Sequence, residues 1–246
     1  MKLLVIDLGN TNVVCAVFDG EQIVHRIRVK SDRNFWSSFQ SLEEFSPDAA
    51  IISSVVPELG IIYFEACKNL FHLTPEFITV ENAGVKTDVP GAKEIGADRL
   101  CNVAAAIKDY DLPAVVVDFG TATTYDVIDK NGVFIGGAIA PGIDVSARNL
   151  FESAALLRDA AFQFPKSAIA RDTVTNLQSG IMFGAVDAVQ GMISRIHTEM
   201  KTSDLSVILT GGFSSVISPG LTIPHTLEPD LTLTGMRLIY QRLSKK

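Results

Sequence analysis

The sequence predicts an α/β protein made of two duplicated halves, each a mixed β-sheet that opens with a three-stranded meander and is flanked by helices. Three observations carry that expectation. Residues 2–7 read Lys-Leu-Leu-Val-Ile-Asp and continue as Leu-Gly-Asn-Thr-Asn, while residues 114–118 read Ala-Val-Val-Val-Asp and continue as Phe-Gly-Thr-Ala-Thr-Thr. An apolar strand thus ends in Asp-x-Gly twice, with the aspartates 111 residues apart. A second apolar run follows each motif, at 13–18 and 125–128, and leads to Asp19-Gly20 or Asn131-Gly132, both favoured hairpin turns. A third run completes each meander, at 22–29 and 133–140.

The other elements follow in order. Helical patterns at 35–45 and 58–73 enclose a short strand at 49–53. A strand at 76–80 leads into a polar loop, 81–96, and a helix at 98–108. In the second half, helices at 144–157 and 175–201 precede a strand at 205–210, which ends at Gly211-Gly212, and a last helix spans 234–243. A boundary near Leu112-Pro113 sets a first domain at 1–113 and a second at 114–246. The aromatic cluster Phe35, Trp36 and Phe39 reads as a helix core stripe.

Composition narrows the function. The chain has 246 residues, 47% hydrophobic and 20% charged, and a domain pair of this size buries roughly 70–75% of its unfolded surface. Its mean hydropathy, +0.27, suits strands buried on both faces. Lys and Arg total 21 against 28 Asp and Glu, a net charge of −7, which argues against broad nucleic-acid or anionic-membrane binding. Arg26, Arg28 and Lys30 alternate along a strand as a solvated face. Three cysteines, Cys15, Cys67 and Cys101, form no C-x-x-C, so a zinc ribbon or disulfide framework is not expected and a reducing cytoplasm is. The opening run is interrupted by Asp7 and does not read as a secretory leader. The longest charge-free apolar stretch, near 133–143, contains three glycines and a proline and falls short of the ~18 residues a membrane helix needs. The histidines at 25, 72, 197 and 225 lack metal-ligand spacing.

Four motifs can carry chemistry. In Asp7-Leu8-Gly9-Asn10-Thr11-Asn12 a tight turn exposes N–H groups, with Gly9 allowing positive φ and close approach of a ligand. Such a concavity suits a phosphate, and Asp7 can hold Mg²⁺ directly or through water. A hairpin that merely needs glycine is the alternative for one copy; two copies facing a cleft favour the phosphate. In Asp118-Phe119-Gly120-Thr121-Ala122-Thr123-Thr124, Asp118 suits a cation and Thr121 a phosphate oxygen, with a turn aspartate as the alternative. Gly211-Gly212 either makes room for a flat ring or punctuates a strand. In Gly96-Ala97-Asp98-Arg99, Asp98 is either a helix N-cap or a base that accepts a hydroxyl proton, and Arg99 can fork onto a carboxylate. The Gly-x-x-x-x-Gly-Lys-Ser/Thr loop, the Gly-x-Gly-x-x-Gly fingerprint and the Gly-x-Ser-x-Gly elbow are absent.

Two Asp-x-Gly hairpins in duplicated halves and a late Gly-Gly turn resemble the actin-like (ribonuclease H-like) ATPase superfamily. Within it the chain resembles the compact type III pantothenate kinases. The matching motifs are those above together with Gly136-Gly137-x-Ile139-x-Pro141-Gly142, Thr173 ahead of Gln178-Ser179-Gly180, and Thr210-Gly211-Gly212. The resemblance implies ATP-dependent phosphorylation of pantothenate to 4'-phosphopantothenate, the first step of coenzyme A synthesis, by a cytoplasmic homodimer. It implies that Asp7, Leu8, Gly9, Asn10, Thr11, Asn12, Val13 and Val14 form the first phosphate loop, that Thr121 contacts ATP and that Gly211 and Gly212 border the adenosine. It further implies Asp98 as general base, Gly96, Ala97, Asp98 and Arg99 as the pantothenate site, Asp118 as ligand of K⁺ or NH₄⁺, Mg²⁺ with the nucleotide, and Thr173 reaching pantothenate from the neighbouring subunit. Locally, Thr173 could equally cap its helix. The chain departs from the family at Val89, where a Tyr is frequent seven residues before Gly96, and at Leu157-Arg158, where Leu-Pro is frequent. A kinase for another small hydroxylated acid and a non-catalytic transcriptional regulator are the competing readings.

Overall fold

The computed structural model describes residues 1–32, 35–154, 160–202 and 204–245. It is a mixed α/β structure that divides into two compact units, Met1–Asp109 with Asp230–Lys246, and Tyr110–Pro229.

In the first unit, β1 (Lys2–Leu8), β2 (Asn12–Asp19) and β3 (Gln22–Lys30) form the expected antiparallel meander. Gly20, at φ +62, makes the turn between β2 and β3. Next come α1 (Trp36–Gln40), a 3-10 turn at Ser41–Phe45, β4 (Ala49–Ser54), α2 (Pro57–Phe71), β5 (Glu76–Phe77), β6 (Lys86–Thr87), a 3-10 turn at Ala92–Glu94 and α3 (Ala97–Asp109). The sheet order is β3-β2-β1-β4-β5, with β4 parallel to β1 and β5 parallel to β4. β1 is buried on both faces, as its unbroken apolar run requires. Leu4, Ile6 and Leu8 pack toward Phe39, Tyr63 and Cys67. The alternate side chains, Leu3, Val5 and Asp7, lie on the opposite face of the strand.

The second unit repeats the plan. Its elements are β7 (Ala114–Phe119), β8 (Ala122–Ile128), β9 (Val133–Pro141), α4 (Ile143–Ser153), α5 (Thr173–Met200), β10 (Ser206–Thr210), α6 (Ser214–Ile217), a 3-10 turn at Ser218–Gly220 and β11 (Thr226–Leu227). Its own strands run in the order β11-β10-β7-β8-β9. Gly132, at φ +75, turns β8 into β9, while the Asp129 carboxylate accepts the N–H groups of Asn131 and Val133. Val115, Val117, Phe119, Tyr125 and Leu209 face Met182, Val186 and Val189 of α5. Among the described residues no helix is long and apolar enough to cross a membrane.

Several expectations change. The 35–45 helix is one α-turn followed by a 3-10 turn. Phe35 and Phe39 are core, but Trp36 is 47% exposed because it lies on the outer side of that short helix. The 76–80 strand shrinks to two paired residues. The 144–157 helix begins at Ile143 and is described to Ser153; residues 155–157, like the Leu157-Arg158 departure, lie outside the described residues.

The largest change concerns α7 (Leu231–Leu243), expected at the end of the second domain. It belongs to the first unit. Gly235 sits against the Cys101 backbone of α3, where a Cβ has no room. Thr232 Oγ1 donates to Asn102 Oδ1 at 2.8 Å, Arg26 pairs with Asp230, and the Arg242 guanidinium packs on Gly84 and donates to the Asn82 carbonyl. Contacts from residues distant in sequence place this helix, so its own periodicity could not.

Candidate functional site

Each unit carries one Asp-x-Gly hairpin at the end of its first strand. In the first, the Gly9 N–H donates to the Asn12 carbonyl at 3.1 Å and closes a short loop between β1 and β2. Gly9 does not need positive φ, contrary to expectation. It is needed because a Cβ would stand 3.0 Å from the Asn12 carbonyl oxygen. The loop is pinned from β3: Ser31 N–H donates to the Thr11 carbonyl at 3.0 Å, and Ser31 Oγ donates to the Gly9 carbonyl at 2.6 Å. Asp7 is paired in register with Ser53 of β4, whose Oγ donates to Asp7 Oδ1 at 2.9 Å.

Asp98 sits one residue inside α3, and so is not its N-cap. The Asp98 Oδ1 atom accepts the Arg99 N–H at 2.8 Å. Gly96 keeps the space around that carboxylate clear, since a Cβ there would be 2.5 Å from Asp98 Oδ1 and 3.3 Å from Val55 Cγ1. Burial pushes the Asp98 carboxyl above the ordinary aspartate value, against the lowering effect of the Arg99 N–H and guanidinium. A partly desolvated carboxylate at the mouth of a helix is a better proton acceptor than an exposed one.

In the second unit the Gly120 N–H donates to the Ala122 carbonyl at 3.0 Å. Gly142 supports this loop. Its N–H donates to the Thr121 carbonyl at 3.0 Å, and a Cβ would collide with the Gly120 and Thr121 carbonyls. Gly211 has φ +88 and lies against Asp118 Oδ1 and the Phe119 backbone, so both its conformation and its neighbours exclude a side chain. The Gly136-Gly137 pair has an equally physical cause, for Gly136 has φ +116 and a Cβ on Gly137 would overlap the Tyr125 carbonyl.

Strand register brings three oxygen-bearing side chains into one row. Thr210 of β10 pairs with Asp118 of β7, which pairs with Thr124 of β8, so all three share a face. The buried Oγ1 atoms of Thr124 and Thr210 have no hydrogen-bond partner. Among the described residues, no group of three or more His, Cys, Asp or Glu could hold a metal ion. A hard cation held by one carboxylate with hydroxyls, carbonyls and phosphate fits the side chains of this row. No motif marks Ser31 or Ser53, and Thr210 enters only as the first residue of the Thr210-Gly211-Gly212 match; strand register finds Ser53 and sets Thr210 beside Asp118.

Thr173 is the first residue of α5, and the Asp172 carboxylate, accepting the Thr175 N–H at 3.0 Å, caps that helix in its place. Gln178 and Ser179 bind the carbonyls of Ala161 and Ala168 and anchor the preceding segment on α5. A cavity of about 510 Å³ between α4, α5, β8 and β9 is lined chiefly by apolar residues such as Tyr125, Ile143, Leu150 and Ile181, and by no carboxylate, histidine, lysine or arginine, which sets it apart from phosphate chemistry. The three cysteines are buried and unbridged. His225 bonds Ser218 Oγ and the Ile223 carbonyl within its own turn.

The meander followed by parallel strands, made twice with Asp-x-Gly at the first turn, defines a duplicated actin-like α/β fold. Two solved structures share the fold. One is described as a Baf family transcriptional activator from Campylobacter jejuni (TM-score 0.65, 20% identity, 99% of this chain and 100% of that one). The other is an ethanolamine utilization protein from Carboxydothermus hydrogenoformans (TM-score 0.51, 15% identity, 97% and 90%). At such identities they speak to fold alone. The type III pantothenate kinase family profile matches residues 3–195. Type III pantothenate kinases from Syntrophus aciditrophicus and Thermomicrobium roseum are 40% and 39% identical, over 98% and 99% of this chain and 100% and 98% of their own lengths. The chain belongs to the type III pantothenate kinase family.

Proposed function

We propose that this chain transfers the γ-phosphoryl group of ATP to the hydroxyl of pantothenate, giving 4'-phosphopantothenate in the first step of coenzyme A synthesis. The observation that carries this reading is the near-full-length match to enzymes of that name. The geometry of Asp98 supplies its chemistry. Asp98 accepts the hydroxyl proton as the oxygen attacks, and its burial tunes it toward that task. Arg99 binds the pantothenate carboxylate, with Gly96 and Ala97 shaping the site around it.

Phosphoryl transfer depends mainly on positioning and charge stabilisation. Backbone N–H groups of the loop Asp7 to Val14 take phosphate oxygens, and Asp7 serves Mg²⁺. Bound Mg²⁺ supplies charge neutralisation at the β- and γ-phosphates. Thr121 contacts ATP from the second hairpin, and Gly211 and Gly212 leave room for the adenosine. Asp118, with the hydroxyls of Thr124 and Thr210, holds K⁺ or NH₄⁺. Thr173 reaches pantothenate in the neighbouring subunit of a cytoplasmic homodimer, which fits its exposure at the start of α5.

The test is ADP release from Mg·ATP with and without pantothenate, in K⁺ and then in Na⁺ buffer. Turnover that needs pantothenate and K⁺ is the expected result. A folded dimer with no turnover under both conditions rejects the assignment.

A further inference from the structure

The Asp7 carboxylate is held from the neighbouring strand by a residue that no motif marks. β1 and β4 run parallel with Asp7 opposite Ser53, and Ser53 Oγ donates to Asp7 Oδ1 at 2.9 Å. Ser53 is 0% exposed. A hydroxyl has one proton to give and lone pairs to accept. Ser53 Oγ gives that proton to Asp7 Oδ1.

We propose that Ser53 is a positioning residue for the metal–nucleotide end of the site. It fixes the Asp7 carboxylate from β4, the strand paired in parallel with the one that carries Asp7. This rests on the reading that Asp7 serves Mg²⁺ and nucleotide. A serine with a purely structural role acts on folding, whatever stands at position 7. A positioning serine acts through Asp7, so its effect disappears once the Asp7 charge is gone.

The experiment is calorimetric binding of ADP to the full chain, with and without Mg²⁺. The proteins are the wild type, Ser53→Ala, Ser53→Thr, Asp7→Asn and the double variant, each checked for its melting temperature. Loss of a hydrogen bond to a charged group weakens Mg·ADP binding by about tenfold in Ser53→Ala. Metal-free ADP binding stays unchanged, Ser53→Thr recovers most of the loss, and Ser53→Ala has no further effect in the Asp7→Asn background. An unchanged Mg·ADP affinity overturns the proposal, as does an equal loss without Mg²⁺ or a full additional loss on top of Asp7→Asn. Should Ser53→Ala fail to fold, Ser53→Cys, close in size and a weak donor, carries the same comparison. A wild-type chain that binds Mg·ADP but does not phosphorylate pantothenate removes the kinase reading and leaves the Ser53 result standing. A wild-type chain that binds no Mg·ADP overturns both.

Discussion

The two Asp-x-Gly hairpins share a sequence pattern and a strand geometry, yet the residues that strand register sets beside each aspartate differ. Around Asp7 the neighbours donate. Ser53 gives its proton to the carboxylate, and Ser31 pins the loop that follows. Around Asp118 the in-register neighbours are two threonine hydroxyls with no hydrogen-bond partner, and Gly211 packs on the carboxylate itself. A carboxylate steadied by donors is ready to serve a phosphate-bound metal. One flanked by hydroxyls without partners suits the small cation proposed for it, because unpartnered buried hydroxyls cost about 1–3 kcal/mol each unless a cation takes their lone pairs. One hairpin design occurs twice, and the neighbouring strands give its two copies different surroundings.

The largest expected effect leaves both hairpins intact and removes the chemistry. Asp98→Asn lowers kcat by roughly 10²- to 10⁴-fold, while Mg·ADP affinity measured by calorimetry stays at the wild-type value. A folded variant that loses nucleotide binding would move Asp98 from base to binding residue and blur the division between loops and base.

The second effect contrasts two glycines of one unit. Gly211→Ala forces a Cβ onto the Asp118 carboxylate at φ +88, a steric cost of about 1–3 kcal/mol in chemical denaturation, and abolishes activation by K⁺. Gly120→Ala places its Cβ 3.5 Å from the Ala122 carbonyl, in ordinary contact, and keeps most of that activation. Equal behaviour of the two variants would mean that Gly211 does not shape a cation site.

A third test exchanges oxygen for carbon at constant shape. Thr210→Val raises the K⁺ concentration for half-maximal activity by about tenfold, a loss of the size expected for one contact with a charged partner. Thr210→Ser restores it, and neither change alters the Mg²⁺ requirement. An effect on Mg²⁺ instead would erase the distinction between the hairpins.

The smallest effect is read from pH. The acid limb of kcat/KM reports a base whose pKa lies above the ordinary aspartate value, because burial raises Asp98. Arg99 favours the charged carboxylate, so Arg99→Gln raises that pKa further and shifts the acid limb to higher pH. A shift to lower pH contradicts the role of Arg99.

Much of this protein was legible along the chain. The alternation and turn chemistry of the two meanders, the Asp-x-Gly repeats and the Asp98-Arg99 pair are local patterns, and the backbone follows them closely. The type of each long element followed for the same reason, since an apolar run of strand length or a helical period states which faces must be buried. Other features were invisible. Gly9 looked like a positive-φ glycine and is instead a close-approach glycine, which only the position of the Asn12 carbonyl reveals. Trp36 looked like core, but the short α1 turns it outward.

By itself the sequence determined two three-stranded meanders with paired Asp-x-Gly hairpins and the family to which they belong, because those depend on contacts within a few tens of residues and on motif order. Only the tertiary structure decided that α7 closes the first unit, that Ser53 stands opposite Asp7 and that Thr124 and Thr210 flank Asp118. Each of these joins strands or helices across long stretches of chain. Register and packing set such neighbours, and no local pattern of residue types encodes them.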